Sequence, residues 1–123
     1  CKEDNLLTMN NILLKFTVEE NSTFLNAIQK ILLNNSREVL VVSGGKVKGT
    51  LSEGDILKAI INGSQINSEI RSHYNRNFKY LEKNDKEVAL RYFIKYNFNL
   101  IPVVNKNFEI KDLIIFRELL KKQ

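Results

Sequence analysis

The stretch Lys48-Gly49-Thr50-Leu51-Ser52-Glu53-Gly54-Asp55-Ile56-Leu57 reads as a strand running directly into a helix. The strand extends from about Val47 to Leu51 and returns from a turn at Ser43-Gly44-Gly45-Lys46. Ser52 and Asp55 then stand three residues apart at the helix start, the spacing of a capping box, in which each side chain satisfies a free backbone N–H of the first turn. Ile56, Leu57, Ile60 and Ile61 follow at helical spacing until Asn62-Gly63-Ser64 ends the run. Upstream, Val39-Leu40-Val41-Val42 is apolar on both faces, as a covered strand would be. Before it, Asn21-Ser22 offers an N-cap to a helix that carries Phe24, Ala27, Ile28, Ile31 and Leu32 on one face. The unit is strand, helix, strand, hairpin, strand, helix.

The same unit recurs. Phe16 to Val42 matches Phe78 to Val104 at an offset of 62 residues, with Ala27-Ile28 against Ala89-Leu90 and Val39-Leu40-Val41-Val42 against Ile101-Pro102-Val103-Val104. Past these runs the offset becomes 63, so that Gly49-Thr50-Leu51-Ser52 aligns with Asp112-Leu113-Ile114-Ile115 and the second hairpin loop is one residue longer. In the second copy Asn84 stands three residues before Glu87 as a capping-box pair, and Ala89, Tyr92, Phe93 and Tyr96 form the buried stripe. Pro102 begins its strand, a permitted place for a residue without an N–H. The expected organisation is an α/β chain of α+β type: a lead-in at residues 1–15 with Ile12-Leu13-Leu14 covering the sheet end, a first repeat at 16–62, a linker at 63–77 and a second repeat at 78–123.

Composition agrees with a single globular unit of 123 residues, 43% hydrophobic and 27% charged, with 1 Cys, 1 His and 1 Pro, which leaves no disulfide framework and no zinc site. No uncharged apolar stretch of membrane-spanning length occurs, and the expected location is the cytoplasm. Cys1 at the start points to a fragment of a longer polypeptide. The net charge of +5 is uneven: residues 1–62 hold 7 basic and 7 acidic side chains, residues 63–123 hold 12 and 7. Its densest part is Arg71-Ser72-His73-Tyr74-Asn75-Arg76-Asn77-Phe78-Lys79-Tyr80, which reads either as a phosphate-binding or base-stacking run or as a solvated linker. Nucleic acid is the least favoured partner, because the excess charge is small and no motif that reads RNA or DNA is present.

The pattern Gly49, two residues, Ser52, two residues, Asp55, with the Pro102-Val103-Val104 strand and the Ala-apolar pairs at 27 and 89, resembles a CBS domain pair, the Bateman regulatory module. The resemblance runs from about residue 8 to residue 120. It implies tandem repeats, each a small β-sheet flanked by two helices, packed about a pseudo-twofold axis, forming a homodimer and acting as a non-catalytic sensor. It also implies clefts that in relatives bind AMP, ATP or S-adenosylmethionine. Carried over position by position, Ser52 at a helix start would hold a phosphate, Asp55 would anchor the ribose hydroxyls and Thr50 would lie beside the sugar. The base would meet Asn77, Phe78, Asn99, Leu100 and Ile101, with His73 and Arg76 as a phosphate clamp.

The second motif departs from the pattern, since Asp112 replaces the glycine, Ile115 the hydroxyl residue and Glu118 the aspartate, so the second cleft is expected to be empty or altered. The text from Gly54 to Gly63, followed by Asn75-Arg76-Asn77-Phe78, is most like CBS pairs fused to sugar nucleotidyltransferases, and less like those behind sugar-phosphate isomerases. That implies a covalently attached catalytic domain in the parent chain. Two readings of Ser52 and Asp55 remain open. Either they bind AMP, ADP, ATP or S-adenosylmethionine as a regulatory ligand, or they only cap a helix in a ligand-free dimerisation module.

Overall fold

A computed structural model describes residues 13–121. Its first repeat contains β1 (Thr17–Glu19), α1 (Phe24–Asn34), β2 (Glu38–Ser43), β3 (Lys46–Ser52) and α2 (Glu53–Ile61). Its second contains α3 (Lys86–Lys95), β4 (Leu100–Val104), β5 (Ile110–Ile115) and α4 (Phe116–Lys121). The first sheet has the order β1-β2-β3, with β1 parallel and β3 antiparallel to β2; the second is the antiparallel pair β4-β5. The lead-in residues 1–12, including Ile12 of the expected sheet cover, lie outside the described residues. Among the described residues no helix is long and apolar enough to cross a membrane.

Local chemistry explains most boundaries. Gly44 and Gly45, both at positive φ (59° and 78°), form the two-residue loop between Ser43 and Lys46 that a tight antiparallel hairpin favours. In the second repeat Asn105 N–H donates to the Glu109 carbonyl across a longer loop, which accommodates the additional residue. Helix α1 is capped one position later than Asn21-Ser22: Thr23 Oγ1 accepts from Asn26 N–H at 3.1 Å, while Ser22 Oγ is occupied by the Asn26 side chain at 2.6 Å. Helix α3 is capped by Asp85 rather than Asn84, whose amide instead bonds Asp112 across the repeat. The Asp85 carboxylate accepts from both Glu87 N–H and Val88 N–H, which an ionised acceptor beside the positive helix end does well.

The expected lead strand of the second repeat shrinks to one parallel bridge, Leu81 with Val103, and Pro102 is the cause. Leu81 N–H donates to the Pro102 carbonyl and Val104 N–H to the Leu81 carbonyl, so Pro102 directs its nitrogen toward this same partner. In the first repeat the equivalent Leu40 stands opposite Thr17. Pro102 has no proton to offer at that rung, and the ladder stops. Pro102 also lies inside β4 rather than at its start.

Two cores flank a shared seam. Phe24, Ala27, Ile31, Val39, Val41, Leu51 and Ile56 bury together in the first repeat, and Ala89, Phe93, Ile101, Val103 and Ile114 in the second. Phe16, Leu40 and Leu100 close the seam between them. There, equivalent residues meet: Glu38 bonds Leu100, and Lys46 bridges Glu109. A residue touching its own counterpart is what a twofold relation between repeats produces.

Two residues of the segment 63–77 enter the first core. Ile70 and Tyr74 are buried in it, Thr23 bridges Glu69, and Asn75 exchanges two backbone bonds with Thr50 at 2.8 and 3.0 Å. Gly49 makes this docking possible, since a Cβ there would sit 2.2 Å from the Asn75 carbonyl oxygen and 2.6 Å from the Tyr74 ring. Gly49→Ala is therefore expected to destabilise the fold by about 3 kcal/mol, read as a lower urea midpoint at unchanged m-value.

Candidate functional site

The strand-to-helix stretch that decides the fold also builds one wall of a cleft of about 350 Å³ between the repeats. Thr50, Ser52 and Asp55 come from the end of β3 and the start of α2. Glu38 and Asn75 line the cleft beside their register partners Ser52 and Thr50, and Asn77, Phe78, Lys79, Tyr96, Asn97, Phe98 and Leu100 complete the lining. Residues of the first-repeat motif and residues leading into the second repeat thus line one cleft.

The capping box is complete. Asp55 N–H donates to Ser52 Oγ at 3.1 Å, and Ser52 N–H donates to Asp55 Oδ2 at 3.0 Å. Glu53 N–H donates to the Arg37 carbonyl at 2.9 Å, which occupies one more donor of the first turn. The Ser52 hydroxyl keeps its proton to donate, and Asp55 Oδ1 takes no protein partner among the described residues. Capping and ligand binding therefore draw on different atoms of the same two side chains.

Six of the ten residues expected at the site line this cleft: Thr50, Ser52, Asp55, Asn77, Phe78 and Leu100. Asn99 sits just behind it, giving its backbone N–H to Glu38. Ile101 is fully buried in the second core, on the far side of β4 from Leu100 as strand alternation requires. His73 and Arg76 do not form a phosphate clamp in this cleft. The His73 ring packs 5.4 Å from Phe24 and edges a separate hollow beside Asp55, Lys58 and Asn62. The Arg76 guanidinium lies 4.4 Å over the Tyr74 ring and donates to the Arg71 carbonyl.

Burial of Tyr74 is what draws this basic run away. Its hydroxyl donates to Glu20 at 3.0 Å and Arg71 pairs with the same carboxylate at 3.2 Å, so the segment's cations are spent on the first repeat. Burial and the Glu20 bond push the Tyr74 phenol up. The cation that reaches the cleft is Lys79, held 4.7 Å over the Tyr96 ring.

Sequence reasoning missed Glu38, Lys79 and the aromatic wall of Tyr96 and Phe98, which stack 5.9 Å apart at 10°. Glu38 is 4% exposed, and its Oε1 accepts from Asn99 N–H and Leu100 N–H, both at 2.6 Å. Burial pushes its carboxyl up to about 7, opposed by the two backbone N–H groups and aided by repulsion from Asp55. The offset of 62 pairs Glu38 with Leu100, an acidic residue against an apolar one at a strand start, and that mismatch is the signal that was there to find.

A hollow of about 230 Å³ at Asp112, Ile115 and Glu118 is walled by second-repeat residues alone. Arg117 reaches from α4 to the carbonyls of Asn34 and Asn35 at the end of α1, where the helix's negative pole favours a cation. Among the described residues no group of three or more His, Cys, Asp or Glu side chains is placed to hold a metal ion.

The family model described as CBS domain matches residues 9–62, and the fold of the chain is that of a CBS domain pair. A CBS domain pair/ACT domain protein of Thermotoga maritima superposes with a TM-score of 0.72 at 19% identity, covering 87% of this chain and 86% of that one. A CBS domain protein of Pyrobaculum aerophilum, solved in complex with AMP, superposes with a TM-score of 0.70 at 20% identity over 85% of this chain and 82% of that one. The cytosolic domain of the Mg2+ channel MgtE, solved with ATP, gives 0.67 at 19% identity over 88% of this chain and 44% of that one. No curated protein matches the chain by sequence.

Proposed function

We propose that this chain is a non-catalytic regulatory module that senses an adenosine-containing ligand, AMP, ADP, ATP or S-adenosylmethionine, through the cleft between its repeats. The observation that carries the reading is the convergence of Thr50, Ser52 and Asp55 from one repeat with Phe78, Phe98 and Leu100 from the other on a cavity of about 350 Å³, a volume suited to a mononucleotide. The start of α2 offers a phosphate the Ser52 hydroxyl and the positive pole of the helix, and Lys79 supplies the cation that Arg76 and His73 do not. Asp55 accepts from ribose hydroxyls, and the aromatic wall takes the base. The two solved relatives that hold AMP and ATP support the ligand class. The regulated enzyme is a catalytic domain on the same cytoplasmic polypeptide, with a sugar nucleotidyltransferase as the reading its sequence favours.

Melting curves of the wild-type chain with each of the four ligands at millimolar concentration test this. A rise of several degrees with at least one is expected; flat curves with all four would leave the ligand-free dimerisation module as the better account.

Dimerisation has its own observation. An apolar groove of about 250 Å³ between α1 and α2 is lined by Ile28, Leu32, Leu57 and Ile60, and Leu32 and Leu57 are 71% and 60% exposed. Ile56, at the floor of the same groove, is 3% exposed and belongs to the core. Light scattering should report about twice the 14.3 kDa chain mass, and Leu57→Glu should shift it toward one copy. A wild-type monomer at high concentration would contradict the pairing.

A further inference from the structure

Glu38 on β2 is the register partner of Ser52 on β3, and both line the cleft with Asp55 of α2. A buried carboxylate therefore stands beside the two side chains that the nucleotide reading assigns to phosphate and sugar, and repulsion from Asp55 already acts on it in the unliganded chain. The charged side chains of the lining are Glu38, Asp55 and Lys79, so two carboxylates share one cation, and Lys79 lies over the Tyr96 ring. Glu38 is held in place: its Oε1 accepts from the N–H groups of Asn99 and Leu100, and turning away would leave both donors unpaired. No protein group bonds Oε2 among the described residues, which leaves that oxygen able to take a proton. A nucleotide phosphate brings about two more negative charges above pH 7, and a carboxylate that is 4% exposed is little screened from them. Asp55 is used as an anion, accepting from Ser52 N–H, so the group that can yield its charge is Glu38.

We propose that Glu38 couples nucleotide binding to proton uptake: entry of a phosphate-bearing ligand drives a proton from solvent onto its Oε2, and the ligand is held with Glu38 neutral. The inference rests on the nucleotide reading above. Free Glu38 titrates at about 7, and the bound form holds its proton to higher pH, so affinity falls as pH rises above 7. Glu38→Gln keeps an oxygen for the two backbone N–H groups and carries no charge, and so mimics the protonated carboxyl at every pH.

Titration calorimetry with AMP at pH 7, 8 and 9 tests the coupling, with two buffers of different ionisation enthalpy at pH 8 to count the proton. The phosphate of AMP is ionised throughout this window. The wild type should take up roughly half a proton or more per AMP at pH 8 and bind roughly tenfold more weakly at pH 9 than at pH 7. Glu38→Gln should bind without proton uptake, with the same affinity at all three pH values, and more tightly than the wild type at pH 9. A wild-type affinity that does not change with pH, or proton uptake that persists in the variant, would overturn the role of Glu38 and leave the nucleotide reading standing. Absence of AMP binding by the wild type at any pH would overturn this inference together with the placement of a phosphate at Ser52. Where the variant fails to fold, the carboxyl carbon of Glu38 in the wild type, followed by NMR, reads the same proton. Its titration should move up by about one pH unit or more with AMP, and an unmoved titration would overturn the role.

Discussion

Between pH 5 and pH 8 the unliganded chain is expected to lose on the order of 3 kcal/mol of stability through Glu38 alone. In the unfolded chain this carboxyl titrates at its ordinary 4.5, and in the fold at about 7. Between those values the folded state holds a proton that the unfolded state has already released, so stability falls as pH rises through the window and levels off above it. The cost is the burial of an anion at the seam, beside Asp55 and only partly compensated by two backbone N–H groups. Glu38→Gln should abolish this component: the variant should match the wild type near pH 5 and melt roughly 10 °C above it at pH 8. Parallel pH profiles for the two proteins would show that the carboxylate is not strained in the fold.

Asp55→Ala should remove most of the thermal stabilisation that nucleotide confers. A ligand that binds only the folded state adds about 2.7 kcal/mol at a hundredfold excess over Kd, whereas loss of one capping side chain costs about 1 kcal/mol. The unliganded variant should therefore melt a few degrees low, because Oδ2 no longer holds Ser52 N–H, and its nucleotide-induced rise should nearly vanish. A variant that melts low but keeps the full rise would confine Asp55 to capping.

The local half of this architecture was legible because local chemistry governs it. Ser52 and Asp55 announce a helix start by spacing alone, Gly44-Gly45 announce a hairpin, and the 62-residue offset announces the repeat. What depended on distant partners was not. Thr23 outcompetes Asn21-Ser22 as the cap because Ser22 is engaged by the Asn26 side chain, and no spacing rule contains that. The bridge at Leu81 stops where it does because Pro102 faces it from the next strand.

The site divides in the same way. The first-repeat wall came with the motif, but nothing in the spacing of the run that holds His73 and Arg76 shows that Tyr74 turns into the first core. Once Tyr74 buries against the first core, Arg71 and Arg76 pack onto Glu20 and the Tyr74 ring, and Lys79 is left as the cation in the cleft. Glu38 escaped notice because a single acid before an apolar strand reads as a solvated flank. Its burial comes from the second repeat closing over it.

The most direct measurement is a calorimetric titration of the wild-type chain with AMP, repeated with ADP, ATP and S-adenosylmethionine where AMP gives no heat. The account predicts saturable binding of at least one of them at one site per chain, because the cleft at Ser52 and Asp55 carries the motif's hydroxyl and carboxylate, whereas the equivalent positions of the second repeat are Ile115 and Glu118 and Arg117 spans that side. No heat with any of the four at millimolar concentration, or two equivalent sites per chain, would contradict it.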